Sequence, residues 1–287
     1  VDELRGRELA MELVRAALEA IEPGRAVARH VRLTGEGRQM LTVGHRAHDL
    51  SGVGRLVVVG AGKAGAGMAA AVERILGDRI SAGWVNVRRG YGPPSPLRRI
   101  HVQPAGHPLP DQAGLQGTAR MLDLLDGLSK GDLVLALISG GASALLVQPV
   151  PGVTLAQLQG LTDALLHSGA TIGEINAVRK HLSQVKGGRL AERIARRGAQ
   201  VVVLVLSDVV GSPLDAIGSG PCAPDPTTYH DAWDVLARHG LVAGLPAPVR
   251  DHLERGRRGE VSETPKPGAP ALQGVQHLIV GDNRAAA

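Results

Sequence analysis

The apolar run Leu133-Val-Leu-Ala-Leu-Ile138 passes directly into Ser139-Gly-Gly-Ala-Ser143 and then Ala144-Leu-Leu146. A buried strand that stops in a glycine–serine turn before a helical start commits this part of the chain to an α/β arrangement. Such a turn can seat an anion. Glycine lets the main chain approach a ligand, hydroxyls add donors, and the unpaired amides of the next helix favour negative charge. The same small residues also serve tight packing, so the surrounding sequence has to decide between the two.

Five further apolar runs are bounded by glycine or turn residues: Leu56–Val59, Trp84–Val87, Ile100–Val102, Val201–Leu206 and Leu278–Val280. Helical patterns lie between most of them, over Ala64–Leu76, Gln112–Leu128, Leu155–His167 and Gly188–Arg197. This alternation predicts an α/β fold, a Rossmann-like, doubly wound, mainly parallel sheet with helices on both faces. At the start of the chain, Leu9, Leu13, Ala17 and Ile21 recur at helical spacing and Pro23-Gly24 closes the pattern. An amphipathic packing helix is expected from about Glu3 to Glu22. Residues 1–255 read as one Rossmann-like domain. Residues 256–274, with Pro265, Pro267 and Pro270, read as an exposed connection. Residues 275–287 read as the start of a second domain, because His277–Val280 enters Gly281-Asp282-Asn283 like a strand meeting another ligand turn, and the helix expected next lies beyond Ala287.

Composition narrows the partners. Lys and Arg number 32 against 27 Asp and Glu, giving a net charge of +5. The basic residues are scattered in doublets such as Arg88-Arg89 and Arg196-Arg197, and with no Phe, two Trp and two Tyr there is little to stack a base on. Small anionic molecules are expected as ligands, not nucleic acid. No apolar stretch approaches the roughly 20 residues of a membrane helix. The N-terminus has no signal-peptide core and the single Cys222 cannot form an internal disulfide, so no membrane and a cytoplasmic setting are expected. A homo-oligomer is left open.

Three further segments carry polar chemistry. Gly60-Ala-Gly62-Lys63-Ala-Gly65 follows a strand and opens a helix, which superficially matches the dinucleotide fingerprint. The next strand ends in Arg88-Arg89 instead of the acid that holds a ribose, so this turn suits at best a 2′-phosphate. Lys63 sets an ammonium beside oriented amides, as phosphoryl transfer requires, unless it is a solvated surface lysine. Asn176, Arg179, Lys180 and Ser183 recur at helical spacing, and Lys186 enters a Gly-Gly turn. They form a carboxylate or phosphate clamp or, alternatively, a solvated basic face. Asp208, after the run Val201–Leu206, either orients Mg²⁺ on a nucleotide or caps the following turn. Neither a Walker lysine loop nor a zinc spacing occurs.

Taken in order, Gly60-Ala-Gly-Lys63-Ala, Ser139-Gly-Gly-Ala-Ser-Ala-Leu-Leu146, Ile175-Asn-Ala-Val-Arg-Lys-His181 with Lys186-Gly-Gly188, Ser207-Asp-Val209, Gly218-Ser-Gly-Pro221 with Pro224-Asp-Pro-Thr227, and Gly281-Asp-Asn283 resemble the glycerate 2-kinase family. Some members of that family carry the name hydroxypyruvate reductase. The resemblance implies ATP- and Mg²⁺-dependent phosphorylation of D-glycerate to 2-phosphoglycerate, in a cleft between this domain and a smaller C-terminal domain of the MOFRL type. On this reading most of the second domain is missing and activity is in doubt. The implied catalytic residues are Lys63, Lys186 and Asp208, with Asp208 as the metal residue. Gly62, Ser139, Gly140, Gly141, Ser143, Asn176, Arg179, Asp282 and Asn283 are the implied substrate- and phosphate-binding residues. The sequence departs from the family pattern at Ala142, Ser212 and Cys222, and the missing carboxylate at Ser212 puts metal or nucleotide binding in doubt. Two alternatives are an NAD(P)-dependent hydroxypyruvate reductase and a non-catalytic anion-binding domain.

Overall fold

The computed structural model describes residues 2–93 and 95–283. The chain opens with helices α1 (Asp2–Ala20) and α2 (Pro23–His30) and an antiparallel meander of β1 (Val31–Thr34), β2 (Met40–Val43) and β3 (Arg46–Asp49). There follow β4 (Leu56–Ala61), α3 (Gly65–Leu76), β5 (Ile80–Arg88), β6 (Ile100–Ala105), α4 (Gln112–Asp126), β7 (Leu133–Ser139) and the one-turn α5 (Ala142–Leu145). Helices α6 (Leu155–His167), α7 (Ile172–His181) and α8 (Arg189–Ala195) lead to β8 (Gln200–Leu206). The described chain closes with α9 (Tyr229–Arg238), α10 (Ala247–Arg257) and β9 (Gln276–Gly281).

Strands β4 to β9 form one parallel sheet in the order β6-β5-β4-β7-β8-β9, as expected of a doubly wound chain. The central strands are apolar on both faces. Leu133, Leu135 and Leu137 of β7 join α2 and α3 in one core, whereas Val134, Ala136 and Ile138 join α4 and α8 in the other. Burying each such side chain stabilises the fold by about 1.5–3 kcal/mol, and a one-residue slip would exchange the two faces, so the register is fixed. Ala61 lies beside Ile138, and Ser139 beside Leu206. The strands therefore finish level, and the turns after them open on one edge.

Three expectations need revision. Helix α1 leaves Leu9, Leu13 and Val14 exposed, so its apolar residues do not pack on the domain, and Pro23 starts α2 as well as ending α1. The segment 256–274 is not a free connection. Thr264 is buried, its hydroxyl donates to Asp225 Oδ2, and the Asp225 amide donates to the Pro265 carbonyl, because the buried carboxylate needs those partners. Nor does 275–283 begin a separate unit. Strand β9 pairs in parallel with β8 as the edge of the same sheet, and Gln276 ties it to the Val43 carbonyl of the meander. Residues 284–287 lie outside the described residues.

Candidate functional site

The chain order reverses between β4 and β7, so a crevice opens where their two glycine turns leave the sheet. The turn after β4 is closed on itself. Gly62 N–H donates to the Asn86 carbonyl (3.1 Å), Lys63 N–H to the Gly140 carbonyl (2.8 Å), and Ala64 N–H to Ser139 Oγ (3.1 Å). Gly62 has φ of 143°, and a Cβ there would lie 2.8 Å from the Ser139 carbonyl oxygen, so only glycine fits. The amides that a dinucleotide pyrophosphate would use are taken. What this turn offers is the Lys63 side chain.

The turn after β7 is the reverse. The amides of Gly140, Gly141 and Ala142 have no acceptor among the described residues. Gly141 adopts φ of 86°, and a Cβ on it would meet the His107 ring at 3.0 Å and Lys63 Cε at 3.2 Å. Lys63 and His107 thus lean over bare backbone. The Asp208 carboxylate packs against Gly140 from the other side, and its Oδ2 lies 3.9 Å from Lys63 Nζ. With side chains 38% and 60% exposed, this pair contributes about 0–1 kcal/mol and can exchange partners. Partial burial, reinforced by Lys63 and Arg88 and opposed by Asp208, holds His107 below its ordinary value, which favours the neutral ring. Asp282 and Asn283 emerge beside Asp208, because Ser207 N–H donates to the Gly281 carbonyl.

Beneath the second turn lies a support layer. Lys186 is 2% exposed and its ammonium donates to the carbonyls of Ser143 (2.7 Å) and Leu146 (2.9 Å). Burial, with Arg179 adding repulsion, pushes this lysine down to about 7. Ser219 Oγ donates to Asn176 Oδ1 (2.9 Å) and lies 2.9 Å from Ser143 Oγ. Lys180 reaches Asp225 (3.2 Å) and Asp215 (3.5 Å), which fixes the loop that carries Ser219. Removing one partner of the buried Lys180–Asp225 pair would cost about 3–5 kcal/mol. Arg179 is half-buried and has neither a hydrogen bond nor an ion pair among the described residues. Burial alone pushes its guanidinium down.

The fold suggested by this geometry has relatives. A model of the family described as "Domain of unknown function (DUF4147)" matches residues 9–254. The chain belongs to this DUF4147 family. Among curated proteins, "Glycerate 2-kinase" of Pyrococcus horikoshii is 42% identical over 277 residues, 96% of this chain and 60% of its own length. A protein of Agrobacterium vitis that bears a hydroxypyruvate reductase name is 46% identical over 218 residues, 76% of this chain and 47% of its own. The crystal structure of glycerate kinase from Thermotoga maritima superposes with a TM-score of 0.81 at 38% identity, covering 100% of this chain and 61% of that one. The chain therefore spans less than two thirds of the length of each of these relatives.

Within this DUF4147 domain, the expected site residues separate into two groups. Lys63, Gly140, Gly141 and Asp208 meet at the level strand ends, Asp282 and Asn283 follow the neighbouring strand β9, and Ser143 and Arg179 border the group on the Lys186 side. Gly62, Ser139, Asn176 and Lys186 were expected to face ligand, but their polar groups are turned inward. The Gly62 amide, the Ser139 hydroxyl, the Asn176 oxygen and the Lys186 ammonium each already have a protein partner. Ser183 also leaves the expected clamp, since it lies beyond α7 and accepts from the amides of Val185 and Lys186. Sequence reasoning missed His107, Ser219 and the Asp225 anchor. The Gly-His-Pro run after β6, the left-handed Gly218-Ser-Gly220 turn and the Pro224-Asp-Pro run were their signals. Neither arginine of the doublet awaits a 2′-phosphate: Arg89 pairs with Asp111 (2.5 Å) and Arg88 sits over the Tyr91 ring.

Proposed function

We propose that this domain carries the phosphoryl-transfer site of a glycerate 2-kinase, moving the γ-phosphoryl of ATP to the 2-hydroxyl of D-glycerate. The carrying observation is the free-amide turn Gly140–Ala142 with Lys63 and His107 leaning over it. In this reading the three amides hold phosphate oxygens and Lys63 stabilises charge on the transferring group. His107, as a neutral imidazole, donates a hydrogen bond to the same group. Arg179, without a partner among the described residues, takes the glycerate carboxylate, since a half-buried guanidinium lacking a counter-charge is completed by an anion. Lys186 and Ser219 hold the turn in shape, which makes them positioning residues. Catalysis here consists of placement and electrostatics, because the reaction asks for little covalent chemistry from the protein.

The residues also suit Mg²⁺. Among the described residues no group of three or more His, Cys, Asp or Glu could hold a metal alone, but Asp208 is an exposed hard-oxygen donor beside the phosphate turn. One carboxylate plus nucleotide phosphates and waters is how Mg²⁺ is commonly held, and when bound it neutralises phosphate charge. Among the described residues no helix is long and apolar enough to cross a membrane. The proposal places the protein in the cytoplasm, in keeping with the lone buried Cys222. Nothing favours a hydride-transfer reading, because the first turn's amides and Arg89 already have partners.

The test is ADP release on adding D-glycerate to protein with ATP and Mg²⁺. It is run on this chain and on a chimera in which the chain replaces its 277-residue counterpart in the Pyrococcus horikoshii relative. Glycerate-dependent turnover in either supports the proposal. A folded chimera that releases no ADP contradicts it.

A further inference from the structure

On the flank of the domain, Arg189 and Arg193 of α8 and the next turn's Arg196 line one cavity of about 310 Å³. Its other walls include Glu192 of α8, Tyr229 at the start of α9, His252 on α10 and the segment Val261-Ser262, and Ser183 and Gln184 line it as well. None of the residues that meet at the strand ends lines it.

The charges in this cavity do not cancel. Arg193 is held by Asp126, with Nε 2.9 Å from Oδ1, and Arg196 is held by Glu192 at 3.0 Å. Among the described residues Arg189 has no carboxylate partner. Its Nη2 donates only to neutral oxygens, Tyr229 Oη at 3.3 Å and the Ser262 carbonyl at 3.1 Å. Its Nε–H is buried without an acceptor. His252 Nε2 lies 3.2 Å from the same Tyr229 hydroxyl, so a guanidinium, a phenol and an imidazole converge. A buried N–H left unpaired is destabilising, and an uncompensated guanidinium adds to that. An apolar occupant would relieve neither cost, and a neutral polar one would relieve only the first. An oxyanion supplies the missing counter-charge.

We propose that this cavity is a second anion-binding site, separate from the phosphoryl-transfer site, for a small molecule bearing a phosphate or carboxylate group. Arg189 is its charge anchor, and the Tyr229 hydroxyl, held by His252, whose Nε2 also lies 3.1 Å from the His181 carbonyl, orients the ligand oxygens. The lining residue Ser183 accepts from the Lys186 amide (3.3 Å), so the occupant lies against the segment that supports the other site.

The test is side-chain and amide NMR of the ¹⁵N-labelled chain during separate titrations with inorganic phosphate and with citrate. A saturable shift of the Arg189 Nε–Hε signal with either anion supports the site, and the anion that produces it assigns the oxyanion type. Arg189→Gln should weaken binding about 10-fold at the Gln184 and Ser262 amides, as expected for losing a charge-assisted contact. Tyr229→Phe, which keeps the ring in the core, should weaken it about 3-fold. Lys63→Ala should leave it unchanged. The proposal is overturned if neither anion gives a saturable shift, if both cavity variants bind like the parent, or if Lys63→Ala abolishes the response, which would put the anion at the other site.

Discussion

The two glycine turns at the crevice look alike in sequence and are opposite in physics. In Gly60–Ala64 the backbone donors are satisfied by Asn86, Gly140 and Ser139, so the turn is a clasp that presents one lysine. In Gly140–Ala142 the amides have no hydrogen-bond partner among the described residues. The first turn's grip on the second is what leaves the second free: Gly140 gives its carbonyl and Ser139 its hydroxyl to the clasp, while the neighbouring amides stay open. A glycine-rich motif therefore does not by itself say which of its groups meet a ligand. The acceptors around it decide.

Four changes test this division. The largest effect is expected from Lys63→Ala, which removes the clasp's only offering to the ligand. In a turnover-competent form it should lower kcat about 10³-fold with ATP affinity little altered, read by ADP release. Next, Gly62→Ala forces a Cβ against Ser139 and demands a backbone conformation that L residues avoid. A loss of about 3 kcal/mol is expected in denaturant unfolding. Ser139→Ala leaves the Ala64 amide without its acceptor and should cost about 1–2 kcal/mol, with phosphate binding weakened only indirectly. The last change concerns Glu263, which accepts from His181 at the end of α7. Burial alone would raise Glu263, but hydrogen bonds from His181, the Tyr229 amide and Lys266 outweigh it and hold the carboxyl at about 2 against an ordinary 4.5. Its stabilisation is complete above pH 4.5 and is lost as pH falls towards 2. Glu263→Gln should therefore lower Tm at pH 7 and flatten its fall across that window, read by thermal unfolding at both ends of the range.

Much of the fold could be read from the sequence because a parallel sheet buried on both faces writes itself as short Val, Leu and Ile runs such as Leu133–Ile138. The meander β1–β3 escaped notice. Its four-residue strands, among them Val31-Arg-Leu-Thr34, bury only alternate residues and carry little periodic signal. The candidate site was legible as a set of loops, since each strand's carboxyl end announced itself with glycine, serine or aspartate. The direction of each group was not. Ser139 looks like a ligand donor in sequence, and only the arrival of Ala64 from 75 residues away makes it a latch. Lys180 and Asp225 stand 45 residues apart, so their pairing has no local signature. The proline-rich segment looked solvated because composition cannot show that Thr264 and Lys266 close over Asp225 and Glu263.

The central claim, that the open turn is the seat and the closed turn its clasp, is tested most directly by amide NMR of the chain titrated with ATP and Mg²⁺. The account predicts large saturable shifts at Gly140, Gly141 and Ala142, with the Gly62, Lys63 and Ala64 amides little moved and slow to exchange with solvent. Dominant shifts at Gly62–Ala64, with Gly140–Ala142 unmoved, would contradict it.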